Sequence, residues 1–297
     1  MLNIISFFHA YKFTHFTKER VEKIRDGQKI PLSKKISMLL FGINNPRPQN
    51  GFMPERPFET VTIESDVKLE GWYLKTNELA KGTVVLFHGY GGVKSSYLKN
   101  AYHYLDLGYN ALLVDFRGSG GSEGLETTIG YHEGDDVKAA FDFLQKKGEK
   151  NIILNGSSMG AAAILCAMNT HHLTPKALVL QCPFGTMYDA VSGRFRGLGV
   201  PSVPFAHFLM FWGGVQNGFW AFDHNPEEYA QSVQCPTLLM WGEKDDRVTK
   251  RETQAIFAHL KGQKVLKIFA DAGHENYAFR FGDEWKQSVN QFLETTK

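Results

Sequence analysis

The chain has 297 residues, 43% of them hydrophobic, enough to bury one large core without metals or disulfides to hold it. Its 33 basic and 31 acidic residues leave a net charge of +2 and are spread along the chain. The dense basic stripe that a phosphate backbone requires is missing, so nucleic acid is not expected as a partner. Cys166, Cys182 and Cys235 are an odd number at no metal-like spacing, inside or beside apolar runs. They read as buried structural thiols, which suits a reducing, cytoplasmic compartment, and no metal or cofactor is expected.

The chain opens on MLNIISFFHAYKFTHFTKER, where His9, Lys12 and His15 interrupt the apolar start and no A-x-A-like site follows. This is a poor signal peptide, and no run approaches the ~18 to 20 apolar residues of a spanning helix. Phe7, Phe8, Phe13 and Phe16 alternate with basic and polar residues, so residues 1–16 are expected to pack on the domain or to touch a membrane surface. Residues 1–58 read as an N-terminal extension and residues 59–297 as one catalytic domain, since no linker or repeat divides the chain.

From Glu59, ETVTIES and VKLEGWYL alternate apolar and polar residues with period two, which predicts an antiparallel hairpin with one wet face. TVVLFHG (83–89), NALLVDF (110–116), NIILNG (151–156), KALVLQC (176–182), PTLLMWG (236–242) and KVLKIFA (264–270) are short apolar runs, expected as central parallel strands covered on both faces. Helical spacing falls between them, over 95–107, 133–147, 159–168, 250–260 and 284–294. Alternating strand and helix predicts a doubly wound, mostly parallel sheet of about eight strands, an α/β fold with its ligand site at the carboxyl ends of the strands.

One strand end carries Gly156-Ser157-Ser158-Met159-Gly160, a G-x-S-x-G pattern between a strand and the helix AAAILCAM. A serine on such a turn is strained, so its neighbours two positions away must be small, and the helix start favours negative charge near its oxygen. A lone serine is a feeble nucleophile and needs a base. Of eleven histidines, only His274 follows the last strand, with Gly273 before it. The carboxylate that holds the imidazole should lie in Gly242-Glu243-Lys244-Asp245-Asp246-Arg247-Val248, where Asp245 and Asp246 are adjacent and only one can face His274.

The chain order of these residues resembles the α/β-hydrolase superfamily over about four-fifths of the chain. His88-Gly89-Tyr90-Gly91-Gly92 resembles its oxyanion loop, and Asp115-Phe116-Arg117-Gly118-Ser119-Gly120-Gly121-Ser122-Glu123-Gly124 its D-x-R-G-x-G-x-S-x-G loop. The turn after PTLLMWG is similar to the family's G-x-x-D-x-x-V turn, which places the acid on Asp245. Within the superfamily the chain looks most like lysophospholipase-like, serine-aminopeptidase-like and Bem46-type serine hydrolases. The resemblance implies a Ser158–Asp245–His274 triad, with backbone N–H groups of Tyr90 and Met159 as the oxyanion hole. His88, Asp115 and Arg117 are read as organising their loops.

Residues 184–230, between KALVLQC and PTLLMWG, are too long for an ordinary connection and are expected to form a lid. Phe184, Met187, Trp212 and Phe219 stand out in this aromatic stretch as candidates to line an apolar pocket. The implied activity is cleavage of an ester with an apolar acyl group, as by a carboxylesterase or lysophospholipase. Peptidase and thioesterase chemistry would use the same triad, and a non-catalytic binding protein on this fold is the remaining class.

Overall fold

The computed structural model describes residues 2–19, 31–197, 199 and 201–296, so residues 20–30 of the expected N-terminal extension and residues 198 and 200 of the expected lid lie outside it. The alternating pattern after residue 57 folds as β3 (Phe58–Glu64) and β4 (Lys68–Leu74), paired antiparallel, with Val61, Ile63 and Leu69 buried and Thr62 and Glu64 exposed. The apolar runs become β5 (Thr83–Phe87), β6 (Asn110–Val114), β7 (Ile152–Ser157), β8 (Ala177–Gln181), β9 (Thr237–Gly242) and β10 (Lys264–Phe269). Together they make one sheet in the order β10-β9-β8-β7-β5-β6-β4-β3, parallel from β10 to β6. Earlier in the chain β1 (Phe16–Thr17) and β2 (Asn45–Pro46) form a separate two-residue parallel pairing.

Side chains alternate across β5, so that Val85 and Phe87 join the core under one layer of helices while Val84 and Leu86 join the other. The first layer holds α4 (Glu133–Lys146), α5 (Met159–His171) and α9 (Lys250–His259); the second holds α3 (Leu98–Asp106) and α11 (Gly282–Thr295). The run 264–270 departs from the sequence expectation: β10 is an edge strand, with Val265 and Ile268 both 39% exposed. Lys264 and Lys267 interrupt its apolar pattern, and a run of this length reads alike at an edge or in the centre.

Sheet order reverses around β5, because the chain steps outward to β6 and then returns to place β7 on the other flank. Crossovers leaving in opposite directions open a crevice at the carboxyl ends of β5 and β7. Over that crevice lie α6 (Met187–Gly197) and α7 (Phe205–Asn217) of the long insertion, whose short α8 (Pro226–Tyr229) packs on α5 and α9, while α10 (Tyr277–Arg280) follows β10. The N-terminal helices cover it too: α1 (Leu2–Thr14) packs against α7, and α2 (Leu32–Phe41) against α1. Phe16 and Thr127 fasten this segment to the loop after β6 through Phe16 N to Leu125 O (2.6 Å) and Thr127 N to Thr14 O (2.8 Å).

Candidate active site

Ser158 stands between β7 and α5 with φ 52° and ψ −116°, a region that a side chain-bearing residue seldom occupies. Its turn is possible because its flanks are bare. A β-carbon on Gly156 would come within 2.6 Å of the Gly160 carbonyl, and one on Gly160 within 2.6 Å of the Phe87 oxygen. The Ser158 amide donates to Gln181 O at 2.8 Å, which fixes the turn to the neighbouring strand.

The structure brings Ser158, His274 and Asp245 together. Ser158 Oγ lies 2.8 Å from His274 Nε2, and His274 Nδ1 lies 2.8 Å from Asp245 Oδ2. The other Asp245 oxygen accepts the backbone N–H groups of Arg247 and Val248, each at 2.9 Å, so its turn after β9 is tied to its own carboxylate. Asp246 is exposed at the rim of the cavity, and the imidazole bonds to Asp245 instead. Burial of the His274 ring disfavours its charge; the Cys182 sulfur and the Asp245 carboxylate beside it outweigh that and hold its pKa above the ordinary 6.5.

Gly89 follows β5 and lies against the serine, its β-carbon position 3.5 Å from Ser158 Cβ. The next residue is Tyr90, while Met159 opens α5, where an N–H has no acceptor within the helix. Tyr90 and Met159 thus follow separate strand ends, those of β5 and β7. His88 is fully buried, and its ring is engaged at both nitrogens: Nδ1 with Gly89 O at 2.8 Å and Nε2 accepting Phe116 N–H at 3.0 Å. That pairing requires the neutral ring, and burial lowers its pKa accordingly.

The loop after β6 is built around Asp115, which accepts Lys94 N (2.7 Å), Asn50 Nδ2 (2.8 Å) and Gly121 N (2.9 Å) and pairs with the buried Lys94 ammonium. A β-carbon on Gly120 would fall 1.8 Å from that carboxylate, which accounts for the glycine. Arg117 pairs with Asp136 on α4 and with Asp66 in the β3–β4 turn, both at 2.7 Å. Asp136 is thereby buried.

A cavity of about 840 Å³ opens above Ser158 and His274, walled by Met187, Val191, Met210 and Phe219 of the insertion and by Ala10 and Phe13 of α1. Three of the four sequence candidates for a pocket lining, Phe184, Met187 and Phe219, border it. Trp212 does not: α7 turns it toward α1, where it meets Phe7 edge-on at 5.0 Å and its Nε1 donates to Asn3 Oδ1 at 2.6 Å.

A family model described as serine aminopeptidase, S33, matches residues 78–207. Esterase Pf2001 of Pyrococcus furiosus superposes with a TM-score of 0.68 at 27% identity, over 85% of this chain and 99% of that one. The chain is an α/β-hydrolase of the serine hydrolase type. Protein YqkD of Bacillus subtilis is 25% identical over 230 residues, 76% of this chain and 75% of its own. The quorum-quenching protein AidA of Acinetobacter baumannii is 31% identical over a shorter stretch, 44% of this chain and 45% of its own.

Sequence reasoning missed two neighbours of the site in this α/β-hydrolase. Cys182, read as a structural thiol, is buried one residue beyond β8 with φ 39°, and its sulfur, an Asp245 oxygen and a His274 nitrogen lie within 4.8 Å of one another. Those are metal-ligand atom types, but the carboxylate and imidazole are already engaged with each other and with Ser158. Its place at a strand's carboxyl end was the available signal. Phe13 was missed as a wall residue because only tertiary packing brings α1 over the crevice.

Proposed function

We propose that this serine hydrolase cleaves carboxylic esters through an acyl-enzyme, with Ser158 as nucleophile, His274 as base and Asp245 as its orienting acid. The observation that carries the reading is the pair of 2.8 Å hydrogen bonds running from Ser158 through His274 to Asp245. Ser158 Oγ attacks the ester carbonyl as His274 Nε2 takes its proton, and the charged ring is stabilised by Asp245. The tetrahedral oxyanion is held by the backbone N–H groups of Tyr90 and Met159. His274 returns the proton to the departing alcohol, and water activated by the same ring then releases the acid.

The apolar walls of the cavity favour an acyl chain, in keeping with a carboxylesterase or lysophospholipase type of activity. The serine aminopeptidase description of the matching family model favours a second reading, amide cleavage by the same residues. A fluorophosphonate probe should label the protein, and Ser158→Ala should abolish labelling and lower kcat on p-nitrophenyl esters about 10⁶-fold. Persistent labelling of the variant would remove Ser158 from the chemistry. Hydrolysis of aminoacyl amides in preference to the esters would replace the first reading by the second. The exposed apolar residues of α1 and α2 are further proposed to rest on an anionic membrane surface.

A further inference from the structure

Arg194, on α6, borders the cavity above Ser158. Its guanidinium carbon lies 4.2 Å from the centre of the Phe13 ring and 4.3 Å from that of Tyr90, two rings stacked on each other at 4.8 Å. Ring faces attract a cation but accept few of its five N–H groups. Among the described residues no carboxylate pairs with it, and the charged group that bears on it is another cation, Arg247. Burial accordingly pulls its pKa down to about 10. A partly buried cation with no carboxylate beside it is normally matched by an opposite charge.

The remaining charges around the cavity supply no match. Lys12 and Arg247 add to the positive side; Glu275 is engaged by Arg280 at 3.3 Å and by the Gly273 amide, and Asp246 is exposed at the rim. Position completes the case. Tyr90, on which the guanidinium rests, adjoins Gly89, which touches Ser158, and Arg194 and Ser158 border the same cavity.

We infer that Arg194 is a specificity-determining residue that binds an anionic group, a carboxylate or a phosphate, carried by the ester cleaved at Ser158. The inference rests on the proposed ester chemistry for its substrate and on the cavity alone for its ligand charge. A planar guanidinium fits either anion by two parallel hydrogen bonds, and the apolar walls take the rest of the molecule.

The test compares mono-p-nitrophenyl adipate, which ends in a carboxylate, with p-nitrophenyl hexanoate of equal length. The ratio of their kcat/KM values cancels general damage to a variant. Arg194→Met should lower that ratio about ten- to hundredfold, and Arg194→Lys should restore part of it. A second arm measures binding of hexyl phosphate, hexanoate and 1-hexanol to the Ser158→Ala protein by calorimetry, with and without Arg194→Met. Loss of anion binding in the double variant supports the site even if neither ester turns over, in which case only the ester reading fails. The stronger of the two anions identifies phosphate or carboxylate. An unchanged ratio together with unchanged binding would leave Arg194 a packing cation and overturn the inference.

Discussion

Two short hydrogen bonds join side chains that come from three strand ends; the Ser158 turn is tied to the neighbouring strand and the Asp245 turn to its own backbone amides. The ring between them gains charge during attack, so its resting pKa sets the pH at which the enzyme works. Burial opposes the imidazolium, yet Cys182 and Asp245 raise the His274 pKa above 6.5. The sign follows directly: a raised pKa keeps the proton to higher pH, a protonated ring cannot accept the serine proton, and activity must climb with pH through that value. The acid limb of kcat/KM for a p-nitrophenyl ester should therefore fall above pH 6.5 in the wild type. Asp245→Asn removes the carboxylate's attraction, so the limb should move to lower pH while kcat drops about 10⁴-fold. A wild-type limb at or below pH 6.5 would contradict the assignment of this neighbourhood to the base.

At the level of elements, the sheet and its turns were legible because their signals are local. Apolar runs gave β5 to β9, and Gly156, Ser158 and Gly160 announced a turn whose glycines are now seen to face backbone at 2.6 Å. The choice between Asp245 and Asp246 was not readable from residue types, since both follow the same strand, and family pattern alone separated them. Least readable was the cavity wall. Helix α1 enters it by crossing α7 at Gly213, where a β-carbon would stand 3.9 Å from Thr14 Cγ2. Nothing in the local spacing of residues 2–14 encodes that contact, whose partner is some 200 residues away. The packing makes a prediction. Gly213→Ala should be accommodated and adds helix propensity, whereas Gly213→Leu should wedge α1 away from α7 and flatten the dependence of kcat/KM on acyl length from p-nitrophenyl acetate to decanoate. An unchanged chain-length profile in the leucine variant, with the sheet still folded, would mean that α1 does not shape the pocket.

Across the whole molecule, apolar surface is distributed unevenly. Ile4, Leu32, Leu39, Val215 and Trp220 are each at least half exposed, and all belong to the cap made by α1, α2, α7 and the residues after it. Aromatic contacts run through this cap without a break, from Phe41 to Phe8, Phe7, Trp212, Phe211 and Trp220. No residue of α2 is buried, although Leu32, Ile36 and Leu39 recur at helical spacing on it. Among the described residues no helix is long and apolar enough to cross a membrane, so this surface would lie along one rather than through it. Among the described residues, 12–19 and 31–35 carry Lys12, Lys18, Lys34 and Lys35 against Glu19 alone, an excess of three positive charges beside the apolar face. Each buried leucine-sized side chain is worth about 1.5 to 3 kcal/mol and each basic residue near an anionic surface about 1 kcal/mol, enough together for reversible attachment. The protein should float with vesicles containing phosphatidylglycerol and less with pure phosphatidylcholine, and raised salt should weaken the former. Ile36→Asp combined with Leu39→Asp should release it while hydrolysis of a soluble short-chain ester continues. Equal flotation with both lipids would assign the attachment to the apolar face alone, and no flotation with either would show that this cap meets something other than a bilayer.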